Sequence, residues 1–167
     1  KQNGQGFYKS SLGDTYKGSW NNGMKHGKGR YEYVDGSMYV GSWENDKING
    51  NGEYTFSDGS VCIGSFLNGK VNGEGTFDYA NGDKYIGSFS MGKRDGLGTC
   101  TYSNGNVYSG EWRDDQINGQ GKFTYRNGNL YEGEFKSGIM DGQGTYTFLN
   151  GNMYVGDFKD GKMHGIG

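Results

Sequence analysis

Aliphatic residues are scarce in this sequence. Only 31% of its 167 residues are apolar and 16% are aromatic, which excludes an ordinary Leu/Ile/Val core packed between two layers. Charge excess is also missing: 17 Lys and Arg face 19 Asp and Glu, and a net charge of −2 gives no global pull toward nucleic acid or an anionic membrane. An electrostatic partner would need a local patch. There are two cysteines, Cys62 and Cys100, in no paired framework, and no Asn-x-Ser/Thr sequon, so a reducing, cytoplasmic location is expected. No signal-like or membrane-spanning apolar run occurs. The pattern described next is already mid-phrase at Lys1 and stops mid-phrase at Gly167, so the sequence reads as a piece of a longer protein.

What is present is one phrase, written seven times. An aromatic, a spacer, a glycine, a spacer and an aromatic open at Tyr16, Tyr39, Tyr85, Tyr108, Tyr131 and Tyr154, with Cys62 standing in once, always 23 residues apart. With the opener as position 0, all 35 glycines fall at positions 2, 7, 11, 13 or 20, and 25 of 26 aromatics fall at 0, 4, 15 or 17, Phe7 being the exception. Fixed self-similarity at this period indicates an array in which each unit contacts its neighbours. The whole chain 1–167 reads as one array, with six full repeats over 16–153 and partial repeats at 1–15 and 154–167.

Each unit carries two turn signals, at positions 6–7 (Asn22-Gly23, Asn68-Gly69) and 19–20 (Asp35-Gly36, Asn81-Gly82), and aromatics alternate with period two between them. That is strand chemistry, giving two antiparallel strands per unit and about 14 in all. Helix is excluded because each of five glycines per unit would cost about 1 kcal/mol relative to alanine. At the second turn, a three-residue loop ending in a left-handed glycine pairs position 17 with 21; this register sets Asp78 opposite Lys84 and Lys122 opposite Glu132, both favourable. It also gathers positions 0, 2, 4, 15 and 17 on one face, rings over glycines, and leaves Ser, Thr, Glu and Lys with scattered Val and Ile on the other. The predicted fold is all-β: a single-layer antiparallel meander, with a long axis of about 65–70 Å from the inter-strand spacing.

The stretch YKGSWNNGMKHGKG at 16–29 resembles the MORN repeat (membrane occupation and recognition nexus), and the resemblance extends over the whole chain. It implies an elongated, curved half-pipe or rod with a concave aromatic groove. It further implies a scaffold or adaptor that binds proteins, associated with the cytoskeleton or a membrane, or else a phosphoinositide or anionic-membrane adaptor. A third alternative is the regulatory region of an enzyme whose catalytic domain lies outside these residues. Position 10, histidine in the family, is His only at His26 and His164 and is Asn or Asp elsewhere, as in Asn49 and Asp95; position 7 loses its glycine at Asp46 and Asp115. Such residues suit turns that hydrogen-bond backbone.

Catalytic and metal chemistry finds no support. The two histidines sit six repeats apart, about 55–60 Å at ordinary strand spacing, and cannot share a site. The glycine pairs do not lead into a helix that could bind phosphate. Asp114–Gly119 opens like a calcium loop, but Tyr125 stands where a bidentate Glu is needed. Cys62 and Cys100 read as small substitutes for rings. No enzyme activity, cofactor, metal or nucleic acid is expected.

Two surfaces are candidates for binding. With no second layer over the rings, either they bury one another completely or part of them stays exposed as a groove, and contiguous exposed apolar surface of a few hundred Å² marks an interaction site. The groove is the expectation, lined at position 0 by Tyr16, Tyr39, Tyr85, Tyr108 and Tyr131, at position 4 by Trp20, Trp43, Phe66, Phe89, Trp112 and Phe135, and by Tyr54, with a peptide, helix or subunit of a partner as occupant. The second candidate is a row at positions 8–9, Lys25, Lys47, Lys70, Lys93 and Arg94, as either solvated lysines or an edge for anionic lipid, with weak binding expected. Open sheet edges suggest a homodimer through the terminal repeat near Tyr154, Phe158, Met163 and His164.

Overall fold

The computed structural model describes residues 2–165. These residues form fifteen strands and no helix: β1 Gly4–Lys9, β2 Thr15–Asn21, β3 Met24–Glu32, β4 Met38–Glu44, β5 Lys47–Thr55, β6 Val61–Leu67, β7 Lys70–Asp78, β8 Lys84–Ser90, β9 Lys93–Thr101, β10 Val107–Arg113, β11 Gln116–Thr124, β12 Leu130–Lys136, β13 Ile139–Thr147, β14 Met153–Lys159 and β15 Lys162–His164. They make one antiparallel sheet in chain order, a meander with one strand more than expected. By its contacts the chain divides into two units, the first holding residues up to Ala80 with Phe89–Gly92, the second Asn81–Ser88 with Lys93 onward.

Both turns follow from their residues. At positions 6–7 the chain takes a two-residue turn with both φ positive, as at Asn22 (52°) and Gly23 (84°), the geometry that suits Asn-Gly. At the other turn the Tyr33 amide donates to the Ser37 carbonyl at 2.9 Å, with Gly36 left-handed at +87° and the Asp35 carboxylate accepting from the Ser37 amide. This is the three-residue loop, and it places Lys122 opposite Glu132 with an ion pair of 3.1 Å. Each repeat also has a bulge: Gly18 pairs with Gly29 and Trp20 with Lys25, so β3 carries the extra residues, with Gly27 left-handed at +75°.

Rings on one face hold the sheet together. The Tyr16 ring lies across Gly18 and Gly29, where a Cβ at Gly29 would come within 2.3 Å of its hydroxyl oxygen. That hydroxyl donates to the Ser19 carbonyl at 2.9 Å. Trp20 and Trp43 stand edge-on to Tyr16 on either side, at centroid distances of 5.2 and 5.3 Å; in the second unit Phe135 and Phe158 flank Tyr131 at 5.1 and 4.8 Å. T-shaped contacts of this kind add about 0.5–1.5 kcal/mol each to the burial of the rings. Cys62 and Cys100 are buried in this face, and burial pushes the Cys62 thiol up to about 11. They fill ring positions, as read from the sequence.

Candidate functional site

The rings expected to line a groove are largely closed to solvent. Tyr16, Tyr39, Tyr85, Tyr108 and Tyr131 are 0% exposed, and Trp43, Phe66, Phe89, Trp112 and Phe135 are buried with them; Trp20 and Tyr54 are half-buried. This corrects the expectation that the position 0 and position 4 rings offer open surface. The physical reason is that glycines at positions 2 and 13 let each tyrosine lie flat on the sheet, where its neighbours' rings close over it. Exposed ring surface persists farther along the same face, at Phe56 (37%) and Phe148 (38%).

The open cavity lies on the opposite face. In the first unit, glycines pair directly across successive strands, Gly6, Gly18, Gly29, Gly41, Gly52, Gly64 and Gly75, and form a bare backbone floor whose underside is covered by Tyr16 at Gly18 and Gly29 and by Tyr39 at Gly41 and Gly52. One wall is formed by Lys17, Val40, Glu53 and Ile63, from the row in which Lys17, Arg30, Val40, Glu53 and Ile63 stand each opposite the next. Gln5, Lys28, Asn51, Ser65 and Glu74 line the other side of the cavity, which encloses about 1190 Å³. Val40 and Ile63 are 42% and 48% exposed, so apolar surface is available there.

Position 3 decides how open the floor is. It is serine at Ser19, Ser42 and Ser65 in the first unit and at Ser88 in the second, but Glu111, Glu134 and Asp157 in the rest of the second. The Glu111 and Glu134 carboxylates fold over the bulge and accept from the Gln120 and Gln143 amides at 3.0 and 3.3 Å, while Lys122 is tied to Glu132 and Gln143 bonds to Asp157. The corresponding cavity of the second unit is about 630 Å³.

The cationic row is also placed. Lys25 lies over the rings of Tyr31 and Trp43 (4.7 and 5.1 Å), where burial lowers its pKa against the opposing pull of Asp46 and Asp14. Arg94 lies over Trp112 at 4.2 Å and pairs with Asp115 at 3.2 Å, and Lys93 pairs with Asp114 at 2.9 Å. Lys47 and Lys70 are exposed on their hairpins. Three of the five cations are therefore engaged by rings or carboxylates, and Lys47 and Lys70 are the exposed members of the row.

A signal that was present in the sequence explains the two positions where glycine is lost at position 7. Everywhere in the array the amide of position 7 bonds to the carbonyl of position 9 one repeat earlier, as in Gly69 to Ile48 and Gly138 to Ile117. Position 9 is otherwise apolar among β5 to β13 (Ile48, Val71, Ile117, Met140) and cationic at Lys25 and Arg94, and each cation is followed 21 residues later by Asp46 or Asp115. Those carboxylates accept from the Lys25 and Arg94 amides at 2.8 and 2.9 Å. Position 10 works beside them: Asn3, Asn72 and Asp95 accept from the amides of Asn22, Met91 and Asp114 in the next hairpin. At the terminal repeat Phe158 is buried, Met163 is exposed, and the Tyr154 hydroxyl bonds to the Asp157 and His164 carbonyls. Among the described residues no group of His, Cys, Asp and Glu could hold a metal.

Among solved structures, the Drosophila melanogaster SAS-4 (dCPAP) TCP domain, in complex with a proline-rich motif of Ana2, is similar over 92% of this chain and 90% of its own, with a TM-score of 0.54 and 13% identity. A mutant TCP10 domain of Danio rerio CPAP aligns over 91% of this chain and 82% of its own, at 10% identity and a TM-score of 0.31. A search of curated proteins by sequence finds no match. The MORN repeat model matches seven times without a break in phase, at residues 16–38, 39–61, 62–84, 85–107, 108–130, 131–153 and 154–167, and with the period, the tyrosine-over-glycine packing and the single-layer meander it establishes that the chain belongs to the MORN-repeat family.

Proposed function

We propose that this chain is a non-enzymatic scaffold that binds a protein partner in the glycine-floored groove of its first unit. The observation that carries the reading is the open cavity of about 1190 Å³, with Val40 and Ile63 standing half exposed above bare backbone. MORN repeats are non-catalytic interaction modules. A single-layer sheet already uses its ring face to stay folded, so the other face is the one left for a partner. The similar Drosophila domain was solved with a peptide bound, which supports a peptide-binding role for the shared fold.

Affinity capture tests this with three forms of the protein: the native chain, a groove variant (Val40→Arg with Ile63→Arg) and an edge variant (Lys47→Glu with Lys70→Glu). A protein held by the native and edge forms and lost from the groove form is the expected result. Retention by the groove variant, or loss from the edge variant instead, overturns it.

A further inference from the structure

We infer that the occupant of this groove is a polyproline-II segment carrying an acidic side chain over Lys17 and Lys28 and a basic one over Glu53; the inference rests on the groove reading above. Equivalent floor points, Gly18, Gly41 and Gly64, recur every second strand, hence about 9.6 Å apart. A polyproline-II helix advances about 3.1 Å per residue with three residues per turn, about 9.3 Å. Every third side chain therefore meets the same point of each successive repeat, and the mismatch stays below about 1 Å over three turns.

Other backbone forms match less well. Side chains at positions 1 and 3 of one strand stand about 7 Å apart, too narrow for an α-helix of about 10–12 Å diameter. An extended strand spans three residues in about 10 Å but turns its side chains to the opposite side at each residue, so successive repeats would meet opposite faces. Strand addition is excluded on the floor itself, because its backbone is already paired on both sides. A polyproline-II segment makes no internal hydrogen bonds, so its carbonyls are left for wall donors such as Asn51 and Ser65.

Charge sets the polarity. Lys17 and Lys28 are the cations that line the cavity at this end, Arg30 across from Lys17 being paired with Glu32 at 2.6 Å, while Glu53 lies between Val40 and Ile63. From Lys17 on β2 to Glu53 on β5 is three strand spacings, about 14 Å, or about 4–5 residues of polyproline II. The occupant thus has an acid and a base about 4–5 residues apart, with an apolar residue between them against Val40. In the second unit the cavity is smaller, about 630 Å³, and the Glu134 carboxylate, with Lys122 paired to Glu132, takes the place of this charge pattern along it.

Fluorescence anisotropy on the full chain tests the inference with labelled peptides of about five polyproline turns. Each has one Glu and one Lys separated by four prolines, in both chain directions. Companion peptides replace proline by alanine or the Glu by Lys. One direction of the proline peptide is expected to bind saturably, the alanine peptide at least about tenfold more weakly, and Lys17→Glu with Lys28→Glu to cost about tenfold, recovered by the peptide whose Glu is Lys. Equal binding of the alanine peptide, no saturable binding in either direction, or indifference to the lysine variant overturns it. If a captured protein is lost from the Val40→Arg/Ile63→Arg variant while the proline peptides fail, the occupant is wrong and the groove reading stands. If neither responds, both fall.

Discussion

Gly29 and Tyr16 show how much of this molecule is decided one side chain at a time. A methyl group on Gly29 would occupy the position of the Tyr16 hydroxyl, so Gly29→Ala must displace a buried ring. The expected cost is about 1–3 kcal/mol in urea unfolding. Gly36→Ala is the contrast: nothing lies near its Cβ, and the penalty is only that of φ +87°, about 1 kcal/mol. The tyrosines also make the fold sensitive to alkali. Burial pushes Tyr16, Tyr39 and Tyr131 from 10.0 up to about 12, and their folded values lie above the unfolded one. Their contribution to stability is therefore complete below pH 10 and is lost as pH rises from 10 through about 12. Phenolate absorbance is expected to rise cooperatively with loss of strand dichroism in that window, whereas gradual ionisation near pH 10 with the fold intact would show the rings to be accessible.

Between repeats the hairpin is the unit, and its edge was only partly legible beforehand. Turn residues, the strand period and the register that pairs Lys122 with Glu132 could all be read, because each rests on local chemistry or on a direct cross-strand partner. Burial of the rings could not be read, since it depends on how far Tyr16 reaches across the neighbouring strand to Gly29. The coupling of Lys25 to Asp46 and Arg94 to Asp115 was available in the sequence as two matching 21-residue spacings, but its meaning needs the contact between successive hairpins. It yields a sharp expectation. Asp115→Gly should destabilise the native chain by about 1 kcal/mol and should cost less in an Arg94→Met background, where the ion pair with the guanidinium is already gone and glycine still relieves the φ of 67°, while the bond from the amide of residue 94 is lost in both. The same loss in both backgrounds, measured by urea unfolding, would contradict the pairing.

Taken as a whole, the sheet buries its rings on one face, and the proposed groove lies on the other. The lysine row does not rival the groove: Lys25 is spent on rings, and Lys93 and Arg94 face Asp114 and Asp115. Sedimentation with anionic vesicles is expected to give weak binding that disappears as salt shortens the Debye length below about 8 Å. Tight, salt-resistant binding removed by Lys47→Glu and Lys70→Glu would restore the edge as a site. The missing second layer pointed to a groove on the ring face, but those rings are buried and the cavity lies on the other face, a difference that rests on the fit of each tyrosine over its glycines and not on any residue taken alone.

The most direct measurement places a photo-cross-linking amino acid at Val40 in the groove or at Phe56 on the ring face of the same unit, in otherwise native protein. The account requires a protein adduct from Val40 and none from Phe56. Adducts from Phe56 with none from Val40 would contradict it and return the ring face as the interface.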